Sequence, residues 1–413
     1  MRYKTGKNII CRLMVSTFIL GVIVCAPSQT LAEREIKLGA LFDLTGPTSD
    51  VGWHYVDGVR DYVKHINDVQ GGIGNGVKVK LIWTDYQYKI PLAISTYAKL
   101  VKRDKVVAIL GWGTGDSEAL KTKIVKDQIP YISASFSQHL VWPPKWNFLP
   151  IATYADQVRT VMKYMRDQWN KPRKPRMALI YNNTGYGRAP LKPAKAYAEE
   201  IGVDLVSTEA VGLQDLEATS QLLRIKEKQA DFVFIQETYT ATATVLKDAK
   251  KLGLNDVIFT GNFWGTGKKL AELAGQDAEG YLGIMPFAIW SDDNEGVRFA
   301  QMLNAKYHPE IEYREPQYIA GMVNAMIMLH ALEIALKNAA GNPEKVEGRD
   351  VFSALESIKS FDTRGLTTPV SYSADERRGS KGCKIVTIKD GALLAVTDFL
   401  QVPPVPPGEK KGK

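Results

Sequence analysis

Strand-like and helix-like segments alternate along almost the whole chain, and this alternation restricts the possible folds more than any other feature of the sequence. The first apolar run, residues 35–42, ends in a polar turn, and residues 56–66 then repeat apolar side chains near the helical period. A glycine-rich turn, residues 71–76, precedes the next strand-like run. Strands that alternate with helices build parallel sheets. The sequence therefore predicts an α/β fold, in which ligands bind at the loops that follow the strands.

The same order begins again after a basic, proline-rich break at residues 170–176. A new strand-like run follows the break, and strands and helices alternate as far as residue 252. Two segments, residues 109–121 and 234–247, share the order of apolar strand, small polar turn and helix. A chain of this length contains enough apolar residues for two cores. We therefore expect two lobes, each with a helix N-terminus at a shared cleft.

The N-terminal residues have the pattern of a secretory signal. Three basic residues precede an apolar run at residues 13–26, and small residues follow at positions 30–32. The apolar run is shorter than the ~20 residues of a transmembrane helix. We expect export to the periplasm and a mature chain that begins near Glu33. A lipid anchor on Cys25 is the alternative, but the valine before this cysteine argues against it because lipid-attachment sites have small residues there.

Composition and motifs argue against several classes of protein. Subtracting the four basic residues of the signal from the formal net charge of +8 leaves +4, and the two signs alternate, which does not fit a nucleic-acid binder. Cys383 is the only cysteine after the signal, so the mature chain cannot form an internal disulfide. The histidines lack metal-ligand spacing, and neither a nucleophile elbow nor a phosphate loop is present. We expect no enzyme activity, no cofactor and no metal.

Two N-terminal motifs identify a family. Residues 44–47 read LTGP, and residues 66–73 read INDVQGGI at the end of the predicted helix. Here the chain resembles the periplasmic solute-binding proteins of ATP-driven importers, of the branched-chain amino-acid and amide (Leu/Ile/Val-binding) type. The resemblance extends through nearly all of the mature chain. It implies the type I periplasmic binding protein fold, with two Rossmann-like lobes that have parallel central sheets and are joined by a three-segment hinge.

The resemblance also implies a division of the chain. The chain would cross between the lobes near Thr153, near Gly283 and within residues 363–368. The expected parts are a signal peptide at 1–32, an N-terminal lobe at 33–153 plus 284–365, a C-terminal lobe at 154–283 plus 366–400, and a Pro/Lys-rich tail at 401–413. We expect this tail to be solvated rather than to bind anything.

In the first lobe, the turn at residues 111–117 is rich in glycine. Small residues let backbone N–H groups approach a ligand, and the dipole of the following helix favours an anion. The resemblance places the ligand carboxylate at this turn, with donors from Gly113, Thr114 and Ser117. A purely geometric role of the glycines is the alternative. Dinucleotide binding is disfavoured because the motif is not GxGxxG and no acidic residue ends the next strand.

The next strand ends in a serine-rich turn. Residues 129–140 resemble a family turn in which a hydroxyl group reaches the ligand, and here that role falls on Ser135 or Ser137. Phe136, between them, is expected to line the pocket. Helix capping by these serines is the alternative.

In the second lobe, residues 182–187 match a family turn whose tyrosine packs over the ligand, which assigns this role to Tyr186. Gln236, Thr238 and Tyr239 occupy the matching end of another strand. Amino-acid binders of the family carry a glutamate where Phe263 stands, and that charge neutralises the α-ammonium of the ligand. Burying an ammonium without such a partner costs several kcal/mol, whereas cation–π attraction returns only ~0.5–2 kcal/mol.

The ligand is therefore predicted to be a carboxylate without an α-ammonium. Aromatic residues near the cleft loops suit an apolar or aromatic body. These residues are Trp53, Trp112, Phe136, Tyr186, Tyr239, Phe263 and Trp264.

The predicted function is that of an exported, monomeric binding protein that closes its lobes around one small molecule and delivers it to the inner-membrane permease of an ABC importer. One alternative is an amino-acid or amide binder in which an acid such as Glu237 replaces the missing glutamate. A sensory ligand-binding module is another, because one fold serves both uses. A secreted Rossmann-type enzyme has the least support.

Overall fold

The computed structural model describes residues 34–406 and residue 409. The expectations about the signal and a lipid anchor concern residues outside this range. Five parallel strands form the first sheet, in the order β2-β1-β3-β4-β5. Their bounds are β1 (Glu35–Phe42), β2 (Lys78–Asp85), β3 (Ala108–Gly111), β4 (Tyr131–Ser133) and β5 (Asn147–Phe148).

The second sheet has the order β12-β11-β10-β9-β8-β6-β7, and β13 pairs with β11. Its bounds are β6 (Arg176–Tyr181), β7 (Asp204–Ala210), β8 (Phe232–Gln236), β9 (Ile258–Gly261), β10 (Leu282–Met285), β11 (Gly382–Lys389), β12 (Ala392–Ala395) and β13 (Leu400–Gln401). Strands β6 to β10 are parallel, whereas β11 runs antiparallel to β10 and β12. The predicted α/β fold with parallel sheets is thus confirmed, but the second sheet also has an antiparallel edge.

Helices cover the sheets and connect the strands. Their bounds are α1 (Ser49–Asp68), α2 (Ile90–Lys99), α3 (Thr114–Asp127), α4 (Tyr154–Asp167), α5 (Gly185–Arg188), α6 (Leu191–Ile201), α7 (Thr219–Glu227), α8 (Tyr239–Lys251), α9 (Lys268–Ala274), α10 (Glu295–Tyr307), α11 (Pro316–Asn338) and α12 (Gly348–Ser357). We call the first sheet with α1–α3 and α10–α12 the first lobe, and the second sheet with α4–α9 the second lobe. Short connections of one helical turn occur at Leu100–Asp104, Gln138–Leu140, Phe263–Gly265, Gly275–Ala278 and Pro343–Lys345.

Helix α11 is the centre of the first-lobe core. It is long and apolar enough to cross a membrane, but most of its residues are buried inside the protein, which is typical of a core helix. Its backbone touches that of α1, since a Cβ at Gly321 would lie 1.9 Å from the Tyr55 carbonyl oxygen and one at Gly58 would lie 2.0 Å from that of Tyr318. Two glycines thus let α1 and α11 pack at close range.

The chain segments that join the lobes lie side by side. The backbone N–H of Leu149 donates to the carbonyl of Arg377 at 2.9 Å, and Gly379 donates back to Leu149 at 2.8 Å. Helix α4 begins directly after this pair with a capping box, in which Thr153 and Asp156 bond reciprocally. The guanidinium of Arg378 donates to the buried Asp156 carboxylate at 2.8 Å. The segments before α4 and before β11 therefore form one connected hinge region.

The start of the C-terminal tail packs against the protein. Val402 is buried, and Val405 contacts the apolar cluster of Leu140, Val141, Trp142 and Leu149. The Glu409 carboxylate contacts the buried Arg159 guanidinium. The expectation of a solvated tail is wrong for this part of the tail, because Val402 packs in the apolar core of the second lobe and Val405 packs against residues on either side of β5.

Candidate functional site

A small cavity lies where the two lobes meet. It is lined by residues of the first lobe, of the second lobe and of the first turn of α4, and all of these side chains are uncharged. The lining residues are Thr48, Val51, Tyr88, Trp112, Gly113, Thr114, Ala134, Ser135, Tyr154, Tyr186, Thr238 and Trp264. Apolar and aromatic walls with a few polar groups are typical of small-molecule sites.

The first-lobe end of the cavity is the N-terminus of α3. Gly113 precedes this 14-residue helix, and the hydroxyl groups of Thr114 and Ser135 lie 2.6 Å apart. A Cβ at Gly113 would lie only 2.4 Å from the ring of Tyr88 and from Asp116 Oδ1, so only glycine fits here. The helix dipole and the hydroxyl pair together form a surface that favours an anion.

Asp116 lies directly behind this surface, in the first turn of α3. Its side chain is 1 % exposed, its Oδ1 accepts the Tyr86 hydroxyl at 2.7 Å, and its Oδ2 has no hydrogen-bond partner among the described residues. The backbone N–H of Gly113 donates to the same Tyr86 hydroxyl at 3.3 Å. Burial raises the pKa of the Asp116 carboxyl to about 7, a rise that the hydrogen bond from Tyr86 limits.

Fixed aromatic rings form the wall on the opposite side. The Trp264 ring stacks on Phe136 at 5.6 Å and meets the edge of Trp112 at 5.3 Å, and its Nε1 donates to the Tyr154 hydroxyl at 3.0 Å. The Tyr186 hydroxyl donates to Asn262 Oδ1 at 3.1 Å. The Trp112 Nε1 donates to Thr48 Oγ1 at 2.9 Å. Because the polar atoms of these rings bond to protein groups, the ring faces remain as an apolar surface for the ligand.

Tyr88 reaches the cavity through an unusual loop. Both Gln87 and Tyr88 have left-handed backbone conformations, with φ of 58° and 56°, which are uncommon for residues other than glycine. Asp85 holds the loop by accepting the backbone N–H groups of Leu44 at 3.1 Å and Gln87 at 3.0 Å. The strained turn directs the tyrosine back toward the N-terminus of α3.

Seven of the predicted residues line the cavity, namely the site residues Trp112, Gly113, Thr114, Ser135, Tyr186 and Thr238 and the predicted cleft aromatic Trp264. The structure places three others just outside the lining. Ser117 bonds to the Ser133 hydroxyl at 3.0 Å, and Ser137 caps the short turn at Gln138–Leu140, as the capping alternative expected. Phe136 supports Trp264 from behind.

The other four predicted residues do not meet the cavity lining. Trp53 is 51 % exposed on the outer face of α1. Phe263 is fully buried against Phe136, Trp264 and Phe287. Gln236 is buried and points its amide at the backbone of Tyr186, and Tyr239 bonds to Gln317 of the first lobe.

Five lining residues were not predicted as site residues: Thr48, Val51, Tyr88, Ala134 and Tyr154. Two of them, Thr48 and Val51, come directly after the LTGP motif, and Tyr154 comes directly after Thr153 at an expected hinge crossing. Their nearness to the LTGP motif or to the expected hinge crossing could have identified these three residues. Nothing in the sequence indicated Tyr88, because its position depends on the left-handed turn.

One buried carboxylate oxygen lies without a hydrogen-bond partner behind the second-lobe part of the lining. Among the described residues Glu237 Oε1 has no partner, whereas the hydroxyl group of the neighbouring Thr238 acts on the carboxyl group of Asp50 in α1. Asn182 donates to the other Glu237 oxygen at 2.9 Å, and burial raises the pKa of Glu237 well above its usual range. Glu237 Oε1 could therefore accept a hydrogen bond from a donor that reaches past Thr238.

Direct contacts hold the lobes together around the cavity. The backbone N–H of Lys269 donates to Glu315 Oε1 at 2.8 Å, and that of Thr240 donates to Asp50 Oδ2 at 3.3 Å. The amide of Gln138 donates to the Ala189 carbonyl at 2.7 Å. Contacts on several sides of the cleft define a closed arrangement of the two lobes.

A model of the family described as "Periplasmic binding protein" matches residues 35–392. Among characterised relatives, the leucine-specific-binding protein of Salmonella typhimurium is 24% identical over 274 residues, which are 65% of this chain and 72% of the relative. The Leu/Ile/Val-binding protein homolog 7 of Brucella suis is 22% identical over 395 residues, which are 91% of this chain and 95% of the relative.

Solved structures share the fold. A branched-chain amino acid ABC transporter protein from Thermus thermophilus with bound valine superposes with a TM-score of 0.83 at 28% identity, covering 90% of this chain and 97% of that one. A fatty acid ABC transporter substrate-binding protein from Thermomonospora curvata gives 0.80 at 21% identity, covering 90% and 95%.

Proposed function

The chain belongs to the periplasmic binding protein family, as a substrate-binding component of the branched-chain amino-acid ABC-transporter type, and we propose that it captures a small carboxylate with an apolar or aromatic body. It is a solute-binding protein rather than an enzyme, and its family membership implies an extracytoplasmic location. In the proposed cycle the lobes close around the carboxylate, and the closed protein delivers it to an inner-membrane permease of an ATP-driven importer.

One observation carries this proposal: the cavity combines an anion-favouring helix N-terminus with aromatic walls and no charged lining side chain. A carboxylate would accept N–H groups of α3 and the hydroxyl groups of Thr114 and Ser135, while the helix dipole stabilises its charge. The body of the ligand would lie against Trp112, Trp264 and Tyr154.

The surroundings of Phe263 support a ligand without an α-ammonium. The ring packs into the apolar cluster behind the wall and is fully buried, so it offers no cation–π surface to a ligand. No carboxylate lines the cavity itself, so an ammonium group there would contact hydroxyl and carbonyl oxygens and ring faces, and the Glu237 carboxyl lies behind the lining residue Thr238. Burying the ammonium without a carboxylate partner costs several kcal/mol, which favours the des-amino acid.

Hinge closure follows from the division of the site between the lobes. Gly113 and Ser135 belong to the first lobe, whereas Tyr186 and Thr238 belong to the second, so only the closed arrangement offers all contacts at once. A ligand stabilises the state to which it binds best. Ligand binding is therefore expected to shift the population toward closure, and the permease would bind that closed form.

A thermal-shift comparison of matched acids tests the proposal. We would compare leucine with 4-methylpentanoate and phenylalanine with 3-phenylpropanoate, because each pair differs only in the α-amino group. A ligand at about 100 times its Kd adds about 2.7 kcal/mol of stability. The proposal expects the des-amino acids to raise the melting temperature. A shift with the amino acids alone would contradict it.

The second candidate is an amino-acid or amide binder, and the unpartnered oxygen of Glu237 favours it. This carboxyl is buried next to the lining residue Thr238, and one of its oxygens lacks a donor among the described residues. An ammonium or amide N–H that reached this oxygen would satisfy it. If leucine or phenylalanine binds, Glu237→Gln should abolish that binding, while binding of the des-amino acids persists.

A further inference from the structure

We propose that Asp116 couples ligand capture to proton uptake, because its carboxyl group shares the N-terminus of α3 with the carboxylate of the ligand. The closed complex would then hold Asp116 as the neutral acid. This inference rests on the proposed function, since it requires a carboxylate ligand at α3.

A ligand carboxylate at α3 would be separated from Asp116 by one glycine. Gly113 lines the cavity, and a Cβ built on it would lie 2.4 Å from Asp116 Oδ1. Thr114, the next residue, also lines the cavity, whereas Asp116 is 1 % exposed and does not. The ligand carboxylate and an ionised Asp116 would therefore be two negative charges near the same helix N-terminus, separated by a single residue.

Nothing positively charged pairs with Asp116 in the described part of the chain. The groups that act on it are the hydroxyls of Tyr86, which follows β2, and Tyr131 of β4, together with backbone N–H groups of its own turn. Besides burial, the negative charge of Asp116 raises the pKa of Tyr88, which lines the cavity. Asp43 raises the pKa of the same tyrosine, so it is the other acidic group close to this part of the site.

Asp43 makes a useful contrast within the same lobe. Its two oxygens accept three hydrogen bonds, from Gly46 N at 2.6 Å, Thr48 N at 3.0 Å and Thr48 Oγ1 at 2.7 Å. These donors stabilise a buried carboxylate. Asp116 accepts one short hydrogen bond, from the Tyr86 hydroxyl, with weaker stabilisation from the Tyr131 hydroxyl and backbone N–H groups, and its second oxygen has no partner at hydrogen-bond distance among the described residues. Asp116 is therefore the acid that a second negative charge would protonate first.

The direction of the pH effect follows. Burial already raises the pKa of Asp116 to about 7 in the free protein, and a carboxylate ligand on the same turn would raise it further. Below that pKa the Asp116 carboxyl is neutral both before and after binding, so its ionisation does not change the affinity for the ligand. Above it, each binding event takes up a proton onto the Asp116 carboxylate. The Kd should then rise by up to about tenfold per pH unit.

Isothermal calorimetry with 4-methylpentanoate and 3-phenylpropanoate tests the coupling. Titrations at pH 8 in phosphate and in Tris, which differ in ionisation enthalpy, give the number of protons taken up on binding. We expect about one proton per ligand in the wild type and about none in Asp116→Asn. The Kd of the variant should also stay flat from pH 6 to pH 9.

Asp127→Asn is the matched control. Asp127 ends the same helix and accepts the Tyr97 hydroxyl at 3.0 Å, in the same kind of Tyr–Asp pair as Asp116, but at the opposite helix end. This variant should take up protons as the wild type does. Proton uptake near zero in a wild type that binds either acid would overturn the coupling and leave the proposed function intact.

Two further outcomes are distinguishable. If neither acid binds between pH 5 and pH 9, the proposed function fails and the coupling falls with it. If Asp116→Asn does not fold, as judged by circular dichroism, the wild type still decides the question, because the number of protons in two buffers is measured without any variant.

Discussion

The hydroxyl group of Tyr239 donates to Gln317 Oε1 at 2.7 Å and thereby joins α8 of the second lobe to α11 of the first lobe. Both side chains are fully buried. Glu315 Oε2 lies 3.1 Å from the same hydroxyl, and Glu315 also accepts the backbone N–H of Lys269. This cluster forms only when the lobes are together, so it contributes to the free energy of closure rather than to direct recognition of the ligand.

Tyr239→Phe should therefore weaken ligand binding without changing which acids are preferred. Removing the hydroxyl deletes hydrogen bonding that is made in the closed form, and a net hydrogen bond contributes about 0.5–1.5 kcal/mol. We expect the Kd of every bound acid to rise about two- to tenfold, with a faster dissociation rate in stopped-flow fluorescence. Tyr197→Phe, in α6 of the second lobe, is the control and should leave Kd unchanged. A change in ligand preference would indicate direct contact instead.

Gly113→Ala should weaken binding strongly while the protein still folds. The added Cβ would lie 2.4 Å from the Tyr88 ring and 2.8 Å from the Tyr86 hydroxyl, so the loop after β2 must move away from α3. Overpacking costs about 1–3 kcal/mol. Because the residues that must move form the binding surface, we expect about a tenfold or larger loss of affinity. Gly115→Ala in the same turn is the control, since its Cβ would meet only the flexible end of Ile90 at 3.0 Å. Equal losses in both variants, measured by calorimetry, would contradict this assignment.

The sequence predicted the part of the site that depends on local patterns. The turn from Trp112 to Thr114 follows a short buried strand and begins a helix, so both its place in the fold and its donors could be predicted. Trp53 was chosen for its aromatic ring rather than for its place on the helix. Val51 and Tyr55, four residues apart, are buried on the inner face of α1, and Trp53 lies halfway between them on the outer face. Helical phase alone would have excluded it.

The other differences between prediction and structure depend on tertiary structure. The family resemblance assigned Phe263 to a ligand-binding position, yet a one-turn helix at Phe263–Gly265 directs its ring into the cluster with Phe287. Tyr88 enters the cavity only because its backbone is left-handed, and residue type does not predict this conformation for tyrosine. The tail was expected to be solvated because it is rich in proline, but Val405 finds an apolar cluster that is distant in sequence.

The stability of the free protein should also respond to Asp116. Its folded-state pKa, about 7, lies above its ordinary value of 3.8, so the folded protein holds a proton that the unfolded chain has lost. Between these values stability falls as pH rises, and the loss is complete above pH 7. Asp116→Asn removes this pH-dependent loss, so the variant should gain stability relative to the wild type as the pH rises from 5 to 8. The gain is at most roughly 4 kcal/mol, because one pKa unit corresponds to about 1.4 kcal/mol. Calorimetric melting at both pH values checks this, with Asp127→Asn expected to show no such change.

Asp156→Asn should destabilise the hinge region far more than an ordinary loss of a helix cap. Asp156 completes the capping box of α4 and also accepts the Arg378 guanidinium at 2.8 Å, and both charged groups are buried. Leaving a buried charge unpaired costs about 3–5 kcal/mol, but Arg378 keeps its ion pair with Glu376, so the loss should lie near the lower end of this range. Asp350→Asn is a matched control, because Asp350 holds the same position in the capping box of α12 through an exposed hydrogen bond. Loss of that cap should cost only about 1 kcal/mol. Urea unfolding of the two variants measures the difference, and similar losses would mean that the pair with Arg378 contributes little to the stability of the hinge.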